Sequence, residues 1–149
     1  MAVIRRLEGI TYWVIEEPTE IYDFINNEVR KEWEEDVKFE GREPSGDSWL
    51  KVLSKYKWQL EVMEIDKVKL NPSIMNLVDD RRGYVFTDEL AKRSDELRMC
   101  IEKYRVVIWP IIIRKEGFML MDGYCRYTSL KNIGIKRIYA YVGTLQRQF

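Results

Sequence analysis

The stretch Trp109-Pro110-Ile111-Ile112-Ile113-Arg114-Lys115-Glu116-Gly117-Phe118-Met119-Leu120-Met121-Asp122-Gly123-Tyr124-Cys125-Arg126 decides how this chain is read. Val106 to Arg114 is β-rich, with Pro110 confined to a strand start, an edge or a bulge. Gly117 marks a tight turn, and Phe118 to Met121 forms the returning strand. Asp122-Gly123 breaks that strand, and a helix opens at about Tyr124. It ends at Gly134, a residue suited to the left-handed cap. Ile138 to Val142 is a final short strand. A glycine turn opening a helix beside Arg126 is a natural place to hold a phosphate group.

Working outward, Thr11 to Ile15 reads as a strand. Pro18-Thr19 opens a helix with Thr19 as N-cap. Ile21, Phe24, Ile25, Val29 and Trp33 recur at helical spacing, so this helix is amphipathic to about Asp36. Glu40 to Ser48 reads as a loop, and a second helix is predicted from Trp49 to Leu60. Val62 to Leu70 fits a strand and a turn into Asn71-Pro72. Asp79-Asp80-Arg81-Arg82-Gly83 is a charged loop. Thr87 is the expected cap of a helix carrying Leu90, Leu97, Ile101 and Tyr104 on one face. The predicted organisation is a mostly helical acidic segment, 1–60, followed by a strand–helix–strand–strand–helix–strand module, 61–149. The expected fold class is α+β.

At 149 residues with 46% hydrophobic and 13% aromatic side chains, the chain can bury a sizeable core. It has no histidine, which excludes a His-based triad or a His-containing zinc site; acid–base work falls to Asp, Glu, Lys, Tyr or Cys. The two cysteines, Cys100 and Cys125, make no disulfide framework. The longest apolar run is too short to span a bilayer, and no basic-then-apolar leader opens the chain, so a cytoplasmic protein without a membrane partner is expected. Heavy use of Glu, Lys and Arg with little Gln fits a heat-adapted source. Formal net charge is +0, unevenly spread. Glu16 to Asp47 holds twelve acidic and four basic residues, whereas Arg126 to Phe149 holds five basic and no acidic ones. That asymmetry reads either as two solvated faces or as a polyanion site at the basic end.

The order of these pieces resembles the ParB/sulfiredoxin superfamily over about 61–143. The residues that carry the likeness are Met63 to Pro72, the strand Pro110-Ile111-Ile112-Ile113-Arg114, the turn Gly117 through Asp122-Gly123-Tyr124-Cys125-Arg126, and the close Gly134 through Val142. The resemblance implies a small mixed sheet flanked by helices. It also implies a phosphate-contacting turn in which Gly123 admits the phosphate, Arg126 pairs with it, and Tyr124, Thr128 and Ser129 stand near. Sulfiredoxin-like members carry their catalytic cysteine directly after the glycine, where this chain has Tyr124. Cys125 follows one step later, about 100° around the helix. Serine-kinase members have histidines at the positions of Tyr124 and Cys125, and a glutamate near Ile74. A Cys125 at a helix N-terminus is nonetheless expected to have a lowered pKa.

Three functions compete. The first is a ParB-like protein that binds or cuts DNA, with Arg81, Arg82, Lys136 and Arg137 as nucleic-acid contacts. In it Asp122 and Cys125 are the catalytic candidates, and Asp79 and Asp80 the oxygen ligands for Mg or Mn. The second is a phosphotransferase or nucleotide hydrolase acting on ATP, ADP or CTP. The third is a non-enzymatic interaction module, with a homodimer as one form of it; five tryptophans and nine tyrosines supply interface material.

Overall fold

A computed structural model describes residues 1–40 and 49–146. Its centre is a four-stranded mixed sheet in the order β3-β8-β6-β7, made of β3 (Tyr56–Glu64), β6 (Ile111–Arg114), β7 (Met119–Asp122) and β8 (Arg137–Leu145). β3 runs antiparallel to β8, β8 parallel to β6, and β6 antiparallel to β7. The sheet is covered on both faces, which is why β6 is apolar at every position from Ile111 to Ile113. Ile111 and Ile113 enter one core with Leu120, Leu130, Ile138, Ala140 and Val142, whereas Ile112 enters a second core with Met121 and Tyr141. The α+β expectation holds.

The first core is roofed by α5 (Phe86–Tyr104) and α6 (Tyr124–Ile133). It is flanked by a hairpin of β1 (Ala2–Leu7) and β2 (Ile10–Ile15). The hairpin turn is tied to the sheet by Glu8, whose carboxylate accepts from the backbone N–H of Lys136 at 3.2 Å and of Arg137 at 2.6 Å. Those bonds, chiefly that from Lys136, pull the carboxyl below its ordinary value.

The second core is closed by α1 (Pro18–Phe24) and α2 (Arg30–Glu40), joined by a π-helical turn at Ile25–Val29. Ile21, Ile25, Val29 and Trp33 are all buried there. In a straight α-helix a four-residue step overshoots a full turn by about 40°, so such a stripe drifts around the helix. The wider π turn offsets that drift and keeps all four side chains against the sheet.

Several sequence expectations change. Helix after residue 48 is confined to α3 (Trp49–Val52) and a 3-10 turn, and β3 begins at Tyr56. The reason is visible in the alternation of buried Tyr56 and Trp58 with exposed Lys57 and Gln59, a period of two that fits a strand. The division at residue 61 falls inside β3, and the second core joins residues from both sides of it. Glu17, not Thr19, occupies the cap position before Pro18. Thr87 lies inside α5, which opens at Phe86. The Asp79–Gly83 segment is the turn between β4 (Val78–Asp79) and β5 (Tyr84–Val85), which follow α4 (Pro72–Met75). The predicted loop at 41–48 lies outside the described residues. Pro110 directly precedes β6, and Gly134 takes the left-handed cap of α6 at φ 95°, both as expected. No helix among the described residues is long and apolar enough to cross a membrane.

Candidate functional site

The β7–α6 turn places five of the expected residues within one helical turn. Asp122 ends β7, Gly123 sits at the helix cap with φ 99° and ψ 30°, and α6 opens at Tyr124. No side chain caps this N-terminus and no acidic residue occupies its first turn. The helix dipole and the first-turn amides are therefore not offset by a local carboxylate of α6.

Arg126 folds back over the turn. One of its terminal nitrogens, Nη1, donates to the carbonyl oxygens of Trp109 and Pro110, each at 3.1 Å. The other, Nη2, donates to Asp122 Oδ2 at 2.9 Å. Asp122 Oδ1 accepts from the indole Nε1 of buried Trp33 at 3.2 Å. Gly123 has no room for a Cβ, which would lie 2.9 Å from Arg126 Nη2 and 2.9 Å from Ile111 Cγ2. The glycine thus leaves room for the side chain of Arg126 over the turn. The arginine side chain remains 20% exposed and Asp122 29%, so a ligand reaching the turn meets both.

The neighbouring candidates divide sharply. Tyr124 is buried: its hydroxyl accepts from Asn71 N–H at 3.1 Å and donates to the Leu120 carbonyl at 3.2 Å, tying α6 to the Asn71-Pro72 turn. Ser129 is buried too, with its hydroxyl 2.8 Å from the Ser94 carbonyl and 2.7 Å from the Cys125 carbonyl, so it joins α6 to α5. Thr128 is half-buried and does not line the cleft described next. Cys125 does line it, but burial pushes its thiol above the ordinary value against the opposing pull of Arg93 and Arg126. The lowered pKa expected from the helix N-terminus is therefore reversed by desolvation. The alkylation rate of Cys125 with iodoacetamide is expected to be below that of a free thiol at pH 7 and to climb only above the ordinary thiol range. A rate already at its plateau near pH 7 would contradict this.

A cleft of about 360 Å³ opens at the turn. Its walls are Asp122 to Arg126, Glu32 and Trp33 of α2, Tyr84 of β5, and Phe86, Glu89 and Arg93 of α5. A second hollow of about 320 Å³, walled by Phe24, Glu28 and Trp109, lies beyond the same Glu32, Asp122 and Arg126. Arg93 faces Glu89 at 3.9 Å, so both arginines of the cleft stand beside carboxylates. Sequence reasoning missed Glu32, Trp33 and Arg93 as site residues. Trp33 was legible only as part of the apolar stripe, and nothing local marks the other two.

The remaining candidates lie elsewhere. Asp79 accepts from the backbone N–H of Arg81 at 3.1 Å and pairs with Arg82 at 3.5 Å; neither Asp79 nor Asp80 lines the cleft. Among the described residues no group of three Asp, Glu or Cys side chains is arranged to hold a metal ion. Arg137 faces Glu8 at 3.5 Å, so the acid-free basic tail of the sequence acquires its acid from the N-terminal hairpin.

No protein-family model and no characterised protein matches this chain. Solved structures similar to it include two of ParB N-domains. One is a crystal form of a Pnob8-like ParB-N domain, 22% identical over 62% of this chain and 32% of that one, with a TM-score of 0.42. The other is a pNOB8-like ParB N-domain, 24% identical over 61% of this chain and 29% of that one, with a TM-score of 0.39. This chain spans about a third of the length of each.

Proposed function

We propose that the cleft at the β7–α6 turn binds the phosphates of a nucleotide. The observation that carries this reading is the uncapped N-terminus of α6, opening with Arg126 and Arg93 into a cleft of about 360 Å³. That volume suits a small ligand, and amides with a guanidinium supply charge-assisted hydrogen bonds. Asp122 and Glu89 now neutralise the two arginines, so an entering phosphate exchanges with them. A divalent ion fits this donor set as a nucleotide-borne Mg, since one or two carboxylates plus substrate phosphates suffice for it; Glu32, Glu89 and Asp122 are the carboxylates that line the cleft. Asp122 also takes the role of orienting Arg126. Cys125, with its raised pKa, is not assigned a nucleophile's role.

The DNA-directed reading rests on the exposed Arg81, Arg82, Lys136 and Arg137. Arg82 and Arg137 are each paired with a carboxylate, so the small-ligand reading ranks ahead of it. Calorimetry with ATP, ADP and CTP, with and without Mg, tests the first. Arg93→Ala is the informative variant, because its side chain is 73% exposed and its loss leaves the core intact. Removing one charge-assisted bond of about 1.5–3 kcal/mol raises Kd by roughly 10–150-fold. Salt-sensitive duplex-DNA binding that ignores Arg93→Ala, with no nucleotide heat, would favour the DNA reading instead.

A further inference from the structure

We infer that the second hollow takes the base of the nucleotide whose phosphates lie in the cleft, and that it selects guanine; this rests on the phosphate reading of the cleft and adds the identity of the ligand. The hollow, of about 320 Å³, shares Glu32, Asp122 and Arg126 with the cleft, so the Asp122–Arg126 pair borders both. A molecule with its phosphates on the cleft side of Arg126 reaches the hollow with its other end. The two spaces differ in charge. The cleft adds Arg93 to Arg126, whereas the hollow adds no second cation and brings Glu28. A phosphate is repelled from the hollow, and an uncharged ring that donates hydrogen bonds is not.

Part of its wall is aromatic. Phe24 and Trp109 are half-buried and stacked, with ring centroids 5.0 Å apart and ring planes at 23°. Such a surface suits a planar base of any identity. The π-helical turn at Ile25–Val29 carries Glu28 and directly follows Phe24. π turns recur at functional sites, and this one brings Phe24 and Glu28 to the same hollow. Glu28 then selects among bases. It is exposed, and its carboxylate makes no hydrogen bond or ion pair among the described residues. An ionised carboxylate only accepts hydrogen bonds. Guanine presents two adjacent donors, N1–H and the C2 amine, one for each oxygen. Adenine and cytosine present one amine beside an unprotonated ring nitrogen, and uracil one N–H between two carbonyls. Each of those three sets a lone pair against a carboxylate oxygen, so guanine makes the better paired contact.

Calorimetry of the full chain with GTP, ATP, UTP and inorganic tripolyphosphate, each with Mg, tests this. GTP is expected to bind roughly tenfold more tightly than ATP or UTP, the lower end of what a charge-assisted hydrogen bond contributes, because Glu28 is exposed. Glu28→Gln keeps the length of the side chain and exchanges one acceptor for a donor. Its match is an N–H beside a carbonyl, the edge that xanthine presents at N1 and C2. The variant is therefore expected to lose the preference for GTP and to bind XTP roughly tenfold more tightly than the wild type does, a gain that misfolding cannot produce. Nucleoside triphosphates that bind within about twofold of one another overturn the inference; if tripolyphosphate binds too, the phosphate site stands and only the base subsite falls. A GTP preference that survives Glu28→Gln, with no gain for XTP, also overturns it. No binding of any of the four, tripolyphosphate included, overturns the phosphate reading and the base subsite with it.

Discussion

Gly143→Ala is expected to lower the unfolding free energy by about 3 kcal/mol, the upper part of the range for overpacking a core. For a chain of this size that is a fall in Tm of roughly 6–12 °C. The cause is steric. Gly143 stands opposite Trp58 across the β3–β8 pair, and an added Cβ would lie 2.6 Å from Trp58 Cζ3 and 2.8 Å from Cη2. The indole has nowhere to go: it is fully buried and stacked on Tyr56, with ring centroids 5.6 Å apart. Neither partner is a flexible side-chain end. A companion variant, Trp58→Leu, is destabilising alone, but combined with Gly143→Ala it should cost less than the sum, because the clash is then absent. Additive losses, or a Gly143→Ala protein melting within about 2 °C of the wild type, would contradict the packing described.

Gly123→Ala is the second large effect, and it reaches the site. The backbone there is left-handed at φ 99°, which an L side chain adopts only under strain of about 1–3 kcal/mol. The new methyl also meets Ile111 in the core and the guanidinium of Arg126. The guanidinium of Arg126 must then shift, which loosens its bonds to Asp122 and to the Trp109 and Pro110 carbonyls. The expected loss in chemical denaturation is roughly 3 kcal/mol, together with weakened nucleotide binding at temperatures where the protein remains folded. A loss below about 1 kcal/mol would mean that the turn relaxes freely.

The sheet was legible in the sequence where both periodicity and punctuation were strong. The apolar run at Ile111-Ile112-Ile113, the Gly117 turn, the Gly123 break and the Gly134 cap all stand where the residues placed them. β3 was not read in full, because Trp49 to Leu60 carries apolar residues compatible with either period. Its choice was made by pairing with β8 and burial of Trp58 on Gly143, both distant in sequence. The site was half legible. Asp122, Gly123 and Arg126 could be found from local spacing. Tyr124 and Ser129 were drawn toward a ligand by the same spacing, yet their hydroxyls are consumed by the Leu120 and Ser94 carbonyls. Glu32 and Arg93 escaped notice because only the folded chain brings α2 and α5 to the turn.

Phosphate binding at the N-terminus of α6 is the step on which the proposed function depends. A crystal structure of the protein soaked with ATP and Mg tests it most directly. Phosphate density is expected against the first-turn amides of α6, with Arg126 turned from Asp122 toward it and Arg93 closing the other side. Nucleotide bound elsewhere on the molecule, or saturating nucleotide that leaves the Asp122–Arg126 pair and the cleft empty, would contradict it.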